Sequence, residues 1–490
     1  MGKLEEVVGV INRFLCLCLS LISMGLFAQE KDSLVGYQKK VLSNVEVDFL
    51  MSYYEQSGQH AAVTGGIGNE DLTNYTPTVV VRIPLNEDDV LTADVGLSAY
   101  TSASSSNGNP FNQTGASAAY QDEVPRGRGN SGEPTGSPWV ASSGASRKDV
   151  LTSMNFVYAH SSEDRNQLSS VNLGGSFEYD YESLGMGVSY AQLWNEKNTE
   201  LSLSTSFYFD RWKPVIPTEM HEYELFGDDF LIADESYFSG VAVLNANGAS
   251  VIGYNPNNFT SLSTEKRNSY SASIGFSQIL SPRMQFSDFA DIVLQEGWLA
   301  NPLQRVYFQY RPNFYIGNPN AIGDYQSEEN TTVFHLADDI ERLPKNRLKT
   351  PIGLRFNYYL NETVVVRSYY RYYQDDWGIR GNTFQLELPV RFGLSWKLTP
   401  IYRFYNQTAA TYFAPYDQHL STASYYTSDY DLSKFDSHQL GLALSYTSLF
   451  SEWKILDFGI KNIEFRCSNY NRSDGLNAFI VSSAFLFVLD

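Results

Sequence analysis

Cysteine is almost missing from this chain, which has 3 among 490 residues. Cys16 and Cys18 lie in an apolar run near the N-terminus, so Cys467 alone remains in the rest of the chain. A single cysteine forms no internal disulfide and offers neither a CxxC pair nor a CxxCH haem attachment. This scarcity excludes a disulfide-stapled module and covalently attached haem.

Catalytic motifs are also lacking. The 6 histidines occur neither in an HExxH pair nor beside a GxSxG turn, and no glycine-rich phosphate loop joins a strand to a helix. Lysine and arginine number 35 against 55 aspartates and glutamates, which gives a formal net charge of -20. Nucleic-acid binding depends on clustered basic side chains, so no nucleic-acid partner is expected. We also expect no enzyme activity and no cofactor in this chain.

Long hydrophobic runs are confined to the N-terminus. The run FLCLCLSLISMGLF follows two basic residues and precedes Ala28 and a polar stretch. A spanning helix needs roughly 20 apolar residues, so a signal peptide cleaved after Ala28 is favoured over a membrane anchor. The predicted organisation is a signal peptide at 1–28, a periplasmic N-terminal segment at 29–43 and an outer-membrane barrel at 44–490.

Aromatic residues make up 14% of the chain, and apolar side chains alternate with polar ones over long stretches. Period two is typical of strands with one apolar face. The clearest case covers seven successive even positions: Phe384, Leu386, Leu388, Val390, Phe392, Leu394 and Trp396. We predict sixteen strands, at residues 44–55, 76–85, 88–102, 151–162, 166–181, 184–195, 199–211, 267–280, 283–296, 350–361, 363–373, 382–396, 398–411, 437–449, 457–469 and 477–489.

A soluble sandwich also alternates, so strand length and loop length must decide the fold class. Many of the segments match the roughly 9 to 11 residues that a tilted strand needs to cross a bilayer. The long connections, at about 103–150, 212–266, 297–349 and 412–436, all follow odd-numbered segments, as the long outer loops of outer-membrane barrels do. We therefore predict an all-β fold, a transmembrane antiparallel up-and-down β-barrel of about 16 strands with long extracellular loops. Residues 338–348 are expected to begin as a short helix.

The segment YYRYYQDDWG, at residues 369–378, is too aromatic for an exposed loop and too charged for a closed core. On the predicted register Tyr370 and Tyr372 lie in the aromatic girdle of the barrel. Asp375 and Asp376 are then expected in the water beyond the girdle.

Polar residues of the predicted strands would face the lumen. The lumen-lining candidates are Arg355, Arg367, Tyr369, Arg371, Glu387, Arg391, Arg403 and Tyr405. Such a wall could attract an anionic or planar solute by bidentate hydrogen bonds and cation–π contacts. It could also be a ladder of Arg–Glu and Arg–Tyr bonds that stiffens the barrel, and the sequence alone favours this second interpretation.

Carboxylates are concentrated in the predicted outer loops. Glu222, Glu224, Asp228 and Asp229 form one group, and carboxylates are suited to calcium. No EF-hand spacing is present and acidic loops are usually only solvated, so calcium binding is the less favoured interpretation. The loop at residues 101–147 is rich in Ser, Gly, Asn and Pro, and either folds into the barrel as a constriction or extends outside it.

Four stretches resemble a family of predicted outer-membrane barrels catalogued only as a domain of unknown function. They are GQHAAVTGGIGNEDLTNYTPTVVVRIPL with LTADVGLSAYTSASSSN, SGASRKDV, IERLPKNRLKTPIGLRFNYYL with YYRYYQDDWGIRGNTFQLEL, and YYTSDYDLSKFDSHQLGLALSY. Genes of this family are often found beside those of a small periplasmic lipoprotein, a thioredoxin-like protein and a transferase that attaches FMN to exported proteins. The resemblance implies a barrel that serves an extracytosolic redox pathway, with a periplasmic flavoprotein or lipoprotein as partner.

Two functions from different classes follow. The first is a channel, or a sheath for a periplasmic redox partner, in contact with outer-membrane lipid of a Gram-negative bacterium. The second is a surface adhesion or assembly scaffold with a plugged lumen and acidic outer loops. A barrel hydrolase with a lipid-facing Ser–His pair that uses His160 is the least favoured alternative.

Overall fold

The computed structural model describes most of the predicted barrel region and short parts of its longest loops. The described residues are 40–62, 65–102, 148–178, 181–212, 225–236, 239–240, 243–245, 264–301, 303–307, 309, 314–316, 334–335, 338–420, 423–448, 453–455 and 458–489. The predicted signal peptide at 1–28 lies outside these ranges, as do residues 29–39 and almost all of the loop 101–147.

One antiparallel sheet of sixteen strands dominates the fold. Along most strands aromatic or aliphatic side chains alternate with serine, asparagine, glycine or charged ones, which suits a sheet between two different media. The strands are β1 (Glu46–Ser57), β2 (Leu72–Pro84), β3 (Asp89–Ser102), β4 (Lys148–Ser161), β5 (Gln167–Phe177), β6 (Tyr181–Trp194), β7 (Thr199–Trp212), β8 (Glu265–Ser281), β9 (Met284–Gly297), β10 (Asn346–Lys349 and Ile352–Tyr359), β11 (Val365–Gln374), β12 (Arg380–Glu387 and Val390–Phe392), β13 (Trp396–Gln407), β14 (Phe435–Thr447), β15 (Phe458–Arg472) and β16 (Asn477–Leu489).

Smaller elements lie in the connections. Two 3-10 helices occur, and none of the helices in the described part of the chain is long and apolar enough to cross a membrane. The short elements are the 3-10 helices Gly227–Asp229 and Tyr430–Leu432, the strand pair Arg305–Tyr307 and Asp338–Ile340, the three strands Val243–Asn245, Phe314–Ile316 and Phe334–His335, and the strand Lys454–Ile455 beside β15.

The sheet closes into a barrel because β1 pairs with β16 along its whole length. The side-chain amide of Asn44 also donates a hydrogen bond to the Leu489 carbonyl at 2.9 Å. Open edges in lipid would leave backbone groups unsatisfied, at several kcal/mol each, so closure is what allows a sheet to span a bilayer. A cluster of buried apolar side chains packs beside this seam: Val45, Val47, Val79, Val81, Ile83 and Leu489. The predicted closed barrel is confirmed.

The two ends of the barrel differ in their connections. The long connections follow β3, β7, β9 and β13, and all leave from one end, which we call the long-loop end. The first residue of β1 and the last of β16 lie at the opposite, short-turn end. This is the predicted asymmetry, and it assigns the short-turn end to the periplasm if the barrel follows the general rule for outer-membrane proteins.

The two faces of the sheet also differ. Residues directly opposite in an antiparallel pair point to the same side. Leu203 of β7 is opposite Ile274 of β8, and these outward side chains are 50% and 48% exposed. Their neighbours Ser204 and Ser273 are opposite each other and face inward. Such an extensive exposed apolar surface fits a lipid-facing belt, with the polar side chains around the lumen.

The alternating run from residue 384 to 396, predicted as one strand, crosses a turn. β12 is interrupted before Pro389, which has no N–H to donate to the ladder, and it ends at Phe392. Gly393, with φ +67°, opens a three-residue turn, and Trp396 begins β13. Phe392 is opposite Trp396, so both point outward and the alternation continues through the turn without a break.

The expectation of a short helix at residues 338–348 is wrong. Asp338–Ile340 form a strand that pairs with Arg305–Tyr307, and β10 begins at Asn346. The backbone of this segment finds its hydrogen-bond partners in an earlier part of the same connection, which a local sequence pattern does not reveal.

Gly297 ends β9 where two backbones approach closely. Its φ is +106°, and a Cβ here would overlap the Lys266 carbonyl. We expect Gly297→Ala to lower the free energy of unfolding by about 1–3 kcal/mol, because the left-handed strain and the overlap add. The measurement is the denaturant midpoint of the refolded barrel, followed by its mobility on unheated gels.

Gly393 provides the matched control, since its φ is also positive but a Cβ would meet nothing within 4 Å. Gly393→Ala should cost about 1 kcal/mol from backbone strain alone. Equal losses in the two variants would contradict the role assigned to the contact at Gly297.

Candidate functional site

The lumen wall formed by β10 to β13 carries a row of polar residues. Arg355, Tyr369, Gln385 and Arg403 are directly opposite one another on successive strands. Their strand neighbours Leu354, Tyr370, Phe384 and Tyr402 point to the outward face. The row therefore crosses one wall of the lumen at a single level.

The Arg355 guanidinium lies beside two aromatic rings and forms no ion pair with a carboxylate among the described residues. Its guanidinium carbon lies 5.7 Å from the ring centroid of Phe289 and 5.7 Å from that of Tyr369. These two rings are nearly parallel, 6.2 Å apart with an interplanar angle of 12°. Because Gly353 has no Cβ, the Phe289 ring can occupy the space beside it. Arg355 itself is exposed and keeps its N–H groups for other partners.

Only one ion pair joins the predicted lumen residues within the described part of the chain. Arg367 and Glu387 approach to 3.8 Å, and the Arg367 side chain is 52% exposed, so this contact is weak. Glu387 also accepts a hydrogen bond from the Gln385 side chain at 2.8 Å. A cavity of about 380 Å³ opens here, lined by Arg355, Asn357, Arg367, Ser368, Tyr369, Gln385 and Glu387. Four of the predicted residues thus line one cavity.

The other four predicted lumen residues are not part of the lining of this cavity. Arg371 lies 5.9 Å from the Tyr373 ring centroid, and its Nε is buried without a hydrogen-bond partner. Tyr405 donates a hydrogen bond to Gln407 at 2.7 Å. Arg403 is opposite Gln439 on β14. Arg391 is opposite Lys397 beside the hairpin at the short-turn end.

Short side chains line the lumen from β3 to β9. They bond mainly to one another, as between the Ser170 and Ser189 hydroxyls at 2.7 Å. Sixteen strands enclose more space than such side chains can fill, which favours a water-filled bore. The inward positions include Gly96, Ser153, Gly187, Ser204, Ser206, Ser271, Ser273, Ser277 and Ser287. Serines at alternate positions of the sequence indicated this wall, but the predicted lumen-lining residues did not include them.

At the long-loop end lies what we call the loop cap, residues 298–301, 303–307, 338–345, 408–420 and 423–434. Its two connections are bonded together: the Arg342 N–H donates to the Tyr426 carbonyl at 3.1 Å, and the Tyr426 N–H donates back at 2.8 Å. Within the first connection, the Glu341 N–H donates to the Gln304 carbonyl at 2.8 Å. In the second, His419 Nε2 bonds to the Thr427 carbonyl at 2.8 Å. The cap is thus one packed body.

Further contacts tie the cap to the strands. Arg472 of β15 donates to the Tyr430 carbonyl at 2.8 Å and forms an ion pair with Asp431 at 2.5 Å. The His60 ring stacks on the Tyr430 ring at 3.4 Å with an interplanar angle of 8°. These contacts bond the cap to β15 and to the connection between β1 and β2 at the long-loop end.

Asp375 is buried, contrary to the expectation that it lies in water. Its side chain is 0% exposed and forms an ion pair with Arg347 at 2.6 Å. The Arg347 guanidinium also lies over the Trp377 ring, 4.3 Å from its centroid. A matching arrangement is found on β7 and β8, where Arg267 pairs with Asp210 at 2.8 Å and lies 5.5 Å from the Trp212 centroid.

A cavity of about 440 Å³, the cap cavity, lies between the cap and the strand ends. Its lining comes from the ends of β2, β3, β7, β8 and β10, from the β5–β6 and β11–β12 turns and from the cap, so the cap extends across the mouth of the lumen. The lining residues are Leu72, Tyr100, Glu178, Trp212, Arg267, Leu299, Ala300, Asn301, Leu303, Glu341, Leu343, Arg347, Trp377, Asp429 and Leu432.

Two carboxyl groups of this cavity have raised pKa values. Burial, and then the negative charge of Asp429, raise the pKa of Glu341 to about 8. Glu341 is 2% exposed, and one of its oxygens accepts a hydrogen bond from the Asn301 N–H at 2.5 Å. Burial, and then the charge of Asp431, also raise the pKa of Asp429, which keeps part of its surface open to the cavity. Sequence reasoning missed this pair.

Two of the four calcium candidates lie within the described residues. Asp228 and Asp229 are exposed in a 3-10 helix, and Glu222 and Glu224 lie outside the described residues. Within the described ranges no group of three or more His, Cys, Asp or Glu side chains could hold a metal ion. Calcium binding stays a prediction.

His160 lies on the outward face at the short-turn end. Its Nδ1 is 2.7 Å from a carboxylate oxygen of Asp89, and Ser169 is its opposite residue on β5. No hydrogen bond joins His160 to Ser169 among the described residues. The Asp–His contact is an exposed surface pair that ties β3 to β4.

Residues 16–474 match the model of a family described as "Protein of unknown function (DUF3570)". No curated protein matches the chain. A solved "Bacterial polysaccharide outer membrane secretin" has 8% identity and a TM-score of 0.40, and the match covers 92% of this chain and 100% of that one. A mutant TodX monoaromatic hydrocarbon channel has 6% identity and a TM-score of 0.38, covering 92% and 91%. An outer membrane channel from Pseudomonas putida F1 has 9% identity and a TM-score of 0.30, covering 73% and 98%.

Proposed function

We propose that this chain, which belongs to the family described as Protein of unknown function (DUF3570), is an outer-membrane channel for small anionic or planar solutes. Its loop cap would regulate entry at the long-loop end, and its arginine-bearing wall would select the solute. The exposed apolar belt on the outward face supports insertion in the outer membrane of a Gram-negative bacterium.

The observation that carries this proposal is the set of inward arginines without acidic partners. In the described part of the chain Arg355, Arg371 and Arg403 form no ion pair, and the pair between Arg367 and Glu387 is long. A structural ladder would have joined each guanidinium to a carboxylate or to a tyrosine hydroxyl, and among the described residues these three arginines form no such hydrogen bond. Free guanidinium groups around water instead offer bidentate hydrogen bonds to carboxylate or phosphate, and the rings beside Arg355 favour planar groups.

A plugged scaffold for adhesion or assembly is the second candidate, and the position of the loop cap beside the strand ends around the cap cavity supports it. Conductance across planar bilayers separates the two. A channel gives discrete current steps with a preference for anions, whereas a permanently plugged barrel passes no current at any pH. Loss of surface binding without loss of solute flux in a deletion strain would favour the scaffold.

We expect the conductance to rise as the pH increases through about 8. The packed cap holds Glu341 with a pKa of about 8 instead of the ordinary 4.5, so the closed form binds a proton that the opened form releases. The closed cap is therefore favoured most below the ordinary pKa and loses this advantage as the pH rises to about 8. Open probability measured from pH 6 to 9 should show the change.

Glu341→Gln keeps the shape of the side chain and removes its ionisation. This variant should stay closed across the same pH range and give a flat profile. Glu362→Gln, in the exposed turn between β10 and β11, is the control and should behave as the parent does. A parent profile without pH dependence, or a Glu341→Gln profile that rises as before, would contradict the assignment.

A periplasmic flavoprotein or lipoprotein partner, and a role in extracytosolic electron transfer, stay predictions. The short-turn end would be the contact surface, since it faces the periplasm in a barrel of this class. Affinity purification from cross-linked cells, with flavin fluorescence and mass spectrometry of the bound proteins, checks this. Recovery of the barrel without any periplasmic protein would argue against the sheath function.

A further inference from the structure

We propose that the cap cavity binds a small organic cation, an amine carried on a largely apolar body. This inference goes beyond conduction through the lumen and does not depend on it. It concerns the mouth of the barrel, whereas the selectivity proposed above concerns the arginine wall deeper in the lumen.

The cavity has the size and walls of a small-molecule site. Its volume of about 440 Å³ lies within the range of pockets that enclose small ligands. Its apolar lining comes from five different segments, which pack around a space that no side chain of the lining fills. These residues are Leu72, Leu299, Ala300, Leu303, Leu343, Trp377 and Leu432.

Two buried polar atoms of the lining have no partner in the protein. They are Oε1 of Glu341, an acceptor, and Nε1 of Trp212, a donor. An unsatisfied buried group is costly, and few occur in native proteins, so such atoms mark places where a bound molecule completes the hydrogen bonding. A ligand that fits carries a donor for Glu341 and an acceptor for Trp212.

The charges decide the sign of the ligand. Arg347 and Arg267 are each neutralised by an aspartate of their own, at 2.6 Å and 2.8 Å, and each also lies over a tryptophan ring. Two other carboxyls of the lining, Glu341 and Asp429, form no ion pair among the described residues. The cavity is acidic overall. The absence of a three-ligand metal cluster in the described ranges, together with the apolar walls, favours an organic cation over a metal ion.

Binding of a cation should release a proton. The groups that act on Glu341 are Asp429, which raises its pKa, and Thr427, Asn301 and Arg347, which oppose the rise. A cation beside Glu341 favours the ionised carboxylate and displaces its proton. The charges acting on Asp429 are Asp431, Arg472 and Glu70. Affinity for an amine should therefore increase as the pH approaches 8 from below.

The test uses the full detergent-solubilised barrel and three probes that share a phenol ring: tyramine, a cation; para-ethylphenol, which is neutral; and phloretate, an anion. Isothermal titration calorimetry at pH 6.5, in two buffers of different ionisation enthalpy, gives both affinity and proton release. We expect saturable binding of tyramine with close to one proton released, at least about tenfold tighter than either of the other probes.

Glu341→Gln should weaken tyramine binding about tenfold or more and abolish the proton release. Glu362→Gln should change neither. Phloretate binding as tightly as tyramine, no saturable binding of tyramine, or an unaltered Glu341→Gln variant would overturn the proposal. Unheated gels show whether the variant is folded, and if it is not, the probe preference and proton release of the parent protein decide.

Discussion

Val188→Arg is expected to destabilise the barrel in lipid vesicles by about 2–4 kcal/mol. Val188 lies near the middle of β6, opposite Val171 and Thr205, and is 52% exposed on the outward face. A guanidinium at this depth loses its hydration in hydrocarbon, and the folded state alone bears this cost. The free energy of unfolding is measured by denaturant titration of the refolded protein, with mobility on unheated gels as the signal.

Ser189→Arg is the matched control, one residue along the same strand and facing the lumen. A charge there stays in water, so we expect a change within about 1 kcal/mol. The comparison tests the assignment of the two faces directly. Equal losses, or a harmless Val188→Arg, would mean that the outward surface does not lie in lipid.

The largest effect on transport is expected from Arg355→Glu combined with Arg403→Glu. The two residues lie in one inward row, separated by Tyr369 and Gln385. A unit charge a few ångströms from an ion contributes about 1 kcal/mol in water and less at the larger distances of a wide lumen, so reversing two charges should turn a preference for anions into one for cations, with at least about a tenfold change in the permeability ratio. The zero-current potential across a salt gradient gives this ratio.

Arg283→Glu supplies the control, because Arg283 is exposed in the short turn between β8 and β9. It changes the net charge of the protein by the same kind of substitution without altering the row. An unchanged preference in the double variant, or an equal change in the control, would show that the row does not select the solute.

The strands of this protein could be predicted from the sequence because the two faces of each strand lie in different surroundings. Lipid on one side and water on the other impose period two, and Leu203 and Ser204 show it as clearly as any pair. The same alternation led to the wrong end of β12, which was predicted at residue 396. A three-residue turn keeps apolar residues at even positions, so the periodicity does not show that one strand ends at Phe392 and the next begins at Trp396.

The cap could not be predicted in the same way. Glu341 and Asp429 come from connections after β9 and β13, and their burial depends on how those connections pack together, which no local pattern encodes. The burial of Asp375 was not predicted, for a related reason. Its partner Arg347 belongs to another strand, and a charged residue beyond an aromatic girdle usually lies in water. One feature of the sequence did point to this pair of carboxyls: Glu341 and Asp429 lie in two of the stretches that carry the family resemblance.

The seam between the first and last strands bears on how the protein is made. Asn44 and Leu489, which meet there, are 445 residues apart in the chain. Contacts of such high sequence separation form late and slowly, so the barrel stays open until β16 is available to pair with β1. Without β16, both β1 and β15 would present unpaired backbone groups to lipid, so no smaller barrel is expected to close.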